Sequence, residues 1–435
     1  MDVRLEQFQV PRDDPWRNDK LGRKTIAEDV LTPIVCNASQ PMVLSISAPW
    51  GHGKTCFVNM WKQHLENEGH LCIYFNAWET DYIDDPLIAL VGEITEELGE
   101  DRLGKHAGIG ERLRQGGALV AKYAIPLVMQ LLTAGVVRSD DVAEAVADVT
   151  TDMISKRIDD YKDAKQSVVQ FKSTLAELTQ SLGEEEEGRH VIFFVDELDR
   201  CRPTYAVEVL EIIKHLFDVG GVVFILAVTP EQLQHSVKAL YGEGTDAIRY
   251  LQRFIDLEYR LPQPELNRYV DLLMNRLGLK SPKLQLPIDS VRAGIIAIAP
   301  VFGLSLRQLE KIVFQLALAA RCKHQLSDAS CWFLFFLLAM QWVKQDLYSS
   351  FVEKEDMNAV IRLAKEIQNT PNYRVQEHVD AAVHIYYMSE TEINDRLGEF
   401  ARKHKEYQYL SEFSFNVVRR APAVLALLEG FNLED

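Results

Sequence analysis

The stretch from Met42 to Thr55 limits what this chain can become more than any other. Met42-Val43-Leu44-Ser45-Ile46 is a mostly apolar run, of the kind that forms a parallel strand covered on both faces. It leads into Ala48-Pro49-Trp50-Gly51-His52-Gly53-Lys54-Thr55-Cys56, and a helical pattern follows from Phe57 to His64. Strand, Gly-rich loop, Lys-Thr and helix in this order match the phosphate-binding pattern G-x-x-x-x-G-K-[ST], with Ala48 at the first glycine. A loop that wraps a phosphate must turn its N–H groups inward, and Gly51 and Gly53 permit the backbone angles this needs. The backbone from Ala48 to Cys56 is therefore expected around the phosphates of ATP. Lys54 is expected on the β- and γ-phosphates and Thr55 on Mg²⁺, with the helix N-terminus adding partial positive charge.

A second run carries complementary chemistry. Val191-Ile192-Phe193-Phe194-Val195 ends in Asp196-Glu197, the form of a Walker B strand. Asp196 is expected to hold Mg²⁺, directly or through water, and Glu197 to polarise the attacking water as the catalytic base. A third apolar run, Val222 to Val228, ends at Thr229. That hydroxyl either senses the γ-phosphate or caps the helix beginning at Pro230.

Around these motifs the chain alternates strands and helices, which implies a parallel sheet. Leu71 to Phe75 and Ile255 to Leu261 read as further strands. Asp85 to Leu98, Tyr205 to Val219 and Ile248 to Phe254 read as helices, and about 99 to 117 as a Gly-rich linker. Ala118 to Val137 is long and apolar enough to suit a membrane span. A span needs a return crossing, however, and Asp140 to Leu182 is charged throughout. A buried or self-associating helix is the first expectation for 118–137, with a membrane-surface segment second. One or two long helices are expected up to Leu182, then a solvated acidic loop from Gly183 to Gly188.

From about 265 onward only helices are expected: Leu266 to Leu277, Ser290 to Ala299, Ser305 to Ala320 with a Ser305 cap, Ser327 to Val343, Asp356 to Gln368 and Val417 to Asp435. The apolar run from Cys331 to Met340 is too short to span a bilayer and reads as a core helix. Arg307, at the start of one of these helices, is either a catalytic residue reaching back to the nucleotide or a surface arginine. The fold expected is α/β, a P-loop parallel sheet with a helical insertion and a C-terminal all-α domain. Its boundaries are 1–98 for the first half of the core, 99–188 for the insertion, 189–264 for the second half and 265–435 for a helical lid or interaction domain.

With 435 residues the chain is long enough for two or three domains. A formal charge of −17 argues against a general nucleic-acid-coating surface, and a local basic groove stays open. Six cysteines without a C-x-x-C pair or metal-ligand spacing read as buried free thiols in a reducing cytoplasm. The first residues, Met1 to Glu6, lack the apolar core of a signal peptide.

Taken together, the motifs resemble the KAP family of P-loop NTPases over roughly residues 12 to 320. The resemblance rests on Asp14-Pro15 with Leu21-Gly22-Arg23, on Trp50 to Thr55, and on Phe75-Asn76-Ala77-Trp78. It also rests on Asp196-Glu197-Leu198-Asp199-Arg200-Cys201-Arg202-Pro203 and on Arg249-Tyr250-Leu251-Gln252-Arg253-Phe254. It implies the additional-strand, catalytic-glutamate type of P-loop fold with a helical lid, and it places Arg23 near the adenine base. Many members carry paired membrane helices between the Walker motifs, where this chain has one apolar stretch. Bacterial members are associated with phage exclusion. The family more often has Gly at position 48 and an acid at position 229, so Thr229 here implies slower hydrolysis or altered γ-phosphate sensing.

The leading expectation is a Mg²⁺-dependent ATPase that works as a conformational or assembly switch in anti-phage defence or a related stress response. In it Lys54 and an arginine, Arg249, Arg253 or Arg307, stabilise charge on the γ-phosphate, from the same or a neighbouring subunit of a homo-oligomer. A non-hydrolysing ATP-binding scaffold for a partner effector is the alternative, and a nucleic-acid-acting motor the third. Cytoplasmic placement is expected, with membrane association open and a true span not.

Overall fold

The computed structural model describes residues 9–83, 85–98, 107–134, 151–185, 188–263, 266–281, 284, 286, 288–321, 328–354, 358, 360 and 363. The chain divides into two compact units, Met1–Asp19 with Arg23–Pro262, and Lys20–Gly22 with Gln263–Asp435.

The first unit is built on five parallel strands: β1 (Met42–Ser47), β2 (Leu71–Asn76), β3 (Val191–Asp196), β4 (Val222–Val228) and β5 (Leu257–Arg260). Their order across the sheet is β2-β3-β4-β1-β5. β4 therefore lies between the strand that feeds the Gly-rich loop and the strand that ends in Asp196. This is the additional-strand arrangement that the family resemblance implies. β3 and β4 are buried at every position, because helices cover both sides of the sheet, whereas the edge strand β5 is largely exposed and carries Glu258 and Arg260.

Alternation along β3 splits its side chains between two apolar layers. Phe193 and Val195 join the layer formed with helices Pro86–Glu97 and Pro203–Leu216, where Phe193 stacks on Phe224 at 4.4 Å. Ile192 and Phe194 join the opposite layer with helix Lys54–Asn67, where Trp61 meets Phe194 edge-on at 5.7 Å. Each such fully buried side chain contributes about 1.5–3 kcal/mol.

Two long helices, Ala107–Ala134 and Thr151–Glu185, pack against one another between β2 and β3 in sequence. This corrects two expectations. The supposed linker at 99–117 is helical from Ala107, and the supposed acidic loop at 183–188 is helical through Glu185. Glycine misled the reading. A Cβ on Gly117 would stand 2.8 Å from Val91, so the glycine lets helix Ala107–Ala134 approach helix Pro86–Glu97 closely. Of the stretch 118–137, Val120 is buried in this layer, and no helix among the described residues is long and apolar enough to cross a membrane.

The second unit is helical among its described residues: Leu266–Arg276, Ile288–Val301, Leu306–Arg321, Asp328–Val343 and Gln345–Lys354. Cys331 to Met340 is buried throughout, as expected of a core helix. Ser305 caps Leu306–Arg321: its hydroxyl accepts from the Gln308 amide at 3.2 Å, and Gln308 Oε1 accepts the Ser305 amide at 2.9 Å. Helix Gln345–Lys354 is an addition to the elements expected. Most of 356–368 and all of 417–435 lie outside the described residues.

Candidate functional site at the carboxyl ends of the strands

Strand register builds the site. Asn76 pairs with Asp196, Asp196 with Ala227, and Ser47 with Val228. The next residues, Ala48, Thr229 and Glu197, therefore emerge side by side from one edge of the sheet. Ligands of open parallel sheets bind outside this carboxyl edge.

From β1 the chain turns through Pro49-Trp50-Gly51-His52-Gly53 into helix Lys54–Asn67. Gly51 (φ 73°) and Gly53 (φ 77°) both adopt left-handed backbone, as a loop folded around a phosphate requires. His52 donates its amide to Pro49 O, and its ring lies 3.1 Å from Trp50 O. Burial, with Arg23 and Lys54 nearby, holds the His52 imidazole below its ordinary range.

Lys54 is buried inside this turn. Its ammonium donates to Ala48 O at 2.7 Å and to Thr229 Oγ1 at 2.8 Å. Desolvation lowers its pKa, against the pull of Asp199 and Asp196. Thr229 Oγ1 also donates to Ala48 O at 3.2 Å and makes no capping bond to helix Pro230–Tyr241, so the capping role set out for this hydroxyl is corrected. The hydroxyl belongs to the lysine.

Asp196 is buried at the end of β3. It accepts Tyr74 Oη–H at 3.0 Å and the Glu197 amide at 2.9 Å, and it receives the Thr55 hydroxyl. Burial raises its pKa, while these three hydrogen bonds oppose the rise. Thr55 and Asp196 thus bring together two oxygen donors of the kind Mg²⁺ takes.

Glu197 has φ 59°, the one non-glycine residue with positive φ among those described. Such outliers cost about 1–3 kcal/mol and cluster at functional sites. Its carboxylate lies 3.0 Å from Arg200 Nη1 and accepts the Asn76 side chain. Desolvation still raises its pKa.

Arg23 is 2% exposed and donates to Gly53 O at 3.1 Å, so it buttresses the loop from behind. Its Nε and Nη2 meet no protein acceptor, and burial lowers its pKa to about 10. A buried guanidinium with two unpaired nitrogens beside the loop suits an anionic occupant. Cys56 is half-buried on the first turn of the helix. Arg253 lies over the Tyr250 ring at 5.8 Å, and Arg249 points to Asp246 at 3.9 Å. Arg307 is exposed on the first turn of Leu306–Arg321, in the second unit, where it acts on Glu310.

The site also holds residues to which sequence reasoning gave no role: Asn76, Tyr74, Asp199 and Arg200. Asp199 Oδ2 accepts Trp50 Nε1–H at 2.7 Å and the Thr229 amide at 3.1 Å. The available signals were the i, i+3 spacing of Glu197 and Arg200 and the presence of Asn76, Asp199 and Arg200 in the quoted motifs; the other partners are distant in sequence.

Away from this edge, Cys36, Glu68 and His70 bring ligand atoms within 4.8 Å of one another. They do not suit a metal. The His190 amide donates to His70 Nδ1 at 3.1 Å, so the imidazole proton sits on Nε2, facing Cys36 Sγ at 3.3 Å. Burial also lifts the Cys36 thiol to about 11.

The family model for the KAP family P-loop domain matches residues 23–322. The chain belongs to the KAP family. Membership implies a nucleotide-binding site and accounts for loop, strand order and acidic strand end together. Among curated proteins, the phage T7 exclusion protein of Escherichia coli (strain K12) is 24% identical over 260 residues, covering 57% of this chain and 34% of the relative. The KAP chain thus spans about a third of that relative's length. Among solved structures, the Aeropyrum pernix ORC2 protein aligns at TM-score 0.38 and 13% identity over 96% of this chain and 97% of its own. C. elegans PCH-2 aligns at TM-score 0.30 and 13% identity, over 74% and 66%. Likeness at these levels carries no functional statement.

Proposed function

We propose that this KAP protein is a Mg²⁺-dependent ATPase that couples nucleotide state to a change of conformation or assembly. The observation that carries the reading is the convergence of buried Lys54, the Thr55–Asp196 pair and Glu197 on one sheet edge. The loop backbone from Ala48 to Cys56 wraps the phosphates, and Lys54 exchanges the neutral oxygens of Thr229 and Ala48 for charged phosphate oxygens. Thr55 and Asp196 hold Mg²⁺, which supplies charge neutralisation on the phosphates. Glu197, its carboxylate raised in pKa by desolvation, orients the attacking water and takes its proton. An arginine stabilises the developing charge, with Arg249, Arg253 and Arg307 the choices from the sequence, in a homo-oligomer if it comes from a neighbouring copy.

A binding-only scaffold for a partner effector is favoured by one observation: the Glu197 carboxylate is engaged by Arg200 and Asn76 and so is held back from water. ATP turnover by wild type and Glu197→Gln separates the two readings. The switch reading expects measurable wild-type turnover that the variant loses, and equal rates would remove Glu197 from its role. A part in phage exclusion is suggested by likeness to the T7 exclusion protein. Plaque counts in cells expressing wild type or Lys54→Ala test it, with protection expected from wild type alone.

A further inference from the structure

Asp199 belongs to neither chemistry described so far, yet it is buried at the centre of the site. It lies in the short 3₁₀ turn Leu198–Arg200 that follows β3. Its Oδ2 accepts donors from two other elements: Trp50 Nε1 in the loop after β1, at 2.7 Å, and the Thr229 amide at the end of β4, at 3.1 Å. Thr229 in turn holds Lys54 through its hydroxyl. A single carboxylate thus ties the middle of the Gly-rich loop to the residue that holds the loop's lysine.

The tie is polar rather than hydrophobic. Trp50 is 49% exposed, so burial alone does not fix its indole. It precedes Gly51, and the loop around it contains the two left-handed glycines, the least restricted backbone of the site. A hydrogen bond to an ionised acceptor is worth roughly twice a neutral one. Placed on the indole, it fixes the loop at its least constrained point.

We propose that Asp199 is a positioning residue for the phosphate loop, holding Trp50 directly and Lys54 through Thr229, so that the loop is shaped for a triphosphate before one binds. The proposal rests on the nucleotide reading above and adds a residue to it. Without the tie, the loop must be ordered at the moment of binding, and affinity falls by the cost of that ordering.

The test uses the full chain with Trp50→Phe, Asp199→Asn and the double variant. Trp50→Phe keeps the ring and loses the N–H; Asp199→Asn keeps the shape and loses the charge. Calorimetry with Mg-ATP should find each single variant weaker by about tenfold, Trp50→Phe from the loss of one charge-assisted bond and Asp199→Asn from the loss of the charge behind both. The double variant should be no weaker than the worse single one. Fluorine NMR of protein labelled with 5-fluorotryptophan gives an independent reading, since the chain has six tryptophans and Trp50→Phe identifies the Trp50 line. Asp199→Asn should move that line and leave the other five in place. Additive losses, unchanged affinity in both single variants, or an unmoved Trp50 line would each overturn the proposal. Wild type that takes up no triphosphate would instead defeat the nucleotide reading, and the Trp50 line would still report whether the tie exists.

Discussion

Gly53 and Glu197 follow β1 and β3, on either side of β4 at the same sheet edge, and both hold left-handed backbone, at φ 77° and φ 59°. At Gly53 the conformation carries almost no steric penalty, because no Cβ meets the following carbonyl. At Glu197 it costs about 1–2 kcal/mol, and the chain retains it at the position where a carboxylate projects beside Asp196 and Arg200. The difference separates a loop shaped for binding from a strained turn shaped for chemistry. One uses freedom of the backbone, the other its restriction.

The largest expected effect breaks the chemical half alone. Glu197→Gln should lower ATP turnover by about 10²–10⁴-fold, the usual contribution of a positioned base, while calorimetric affinity for Mg-ATP stays within a few-fold of wild type. Loss of affinity equal to the loss of turnover would show that Glu197 serves binding instead.

Next come paired changes that exchange the two backbone solutions. Gly53→Ala should destabilise the fold by about 1–2 kcal/mol in urea unfolding, because an L side chain is strained at φ 77°. Glu197→Gly should act in the opposite direction, stabilising by up to about 1 kcal/mol while turnover disappears. Equal signs for the two changes would end the comparison.

The smallest effect is electrostatic. Asp196 and Glu197 have raised pKa values, chiefly from desolvation. A carboxyl that is raised on folding binds its proton more tightly in the folded state. Stability is therefore fullest below the unfolded pKa and declines as pH rises through the window between unfolded and folded values. For Asp196 that window opens at 3.8. Asp196→Asn should flatten part of the decline when unfolding free energy is measured upward from pH 4. An unchanged slope would mean that neither burial nor its partners set this titration.

Much of this could be read from the chain. The strands were legible because β3 and β4 are continuous apolar runs and β1 a mostly apolar one, each leading into chemically distinctive residues. The loop was legible because its spacing is local. Helix Ala107–Ala134 was misread at its start because Gly116 and Gly117 look like breakers, while here they serve close packing against Phe171 and Val91. The contacts of Asp199 with Trp50 and of Thr229 with Lys54 were out of reach for a different reason. Trp50 and Asp199 are 149 residues apart, and Lys54 and Thr229 are 175 apart. Only the register of β1, β4 and β3 brings them together.

Titration of Mg-ATP into wild type and Lys54→Ala, followed by calorimetry on protein verified as folded, tests the central claim most directly. The account predicts saturable uptake by wild type, near one nucleotide per chain, and at least a tenfold weaker response from the variant. Folded wild type that absorbs no nucleotide, or a variant that binds as tightly as its parent, would contradict it.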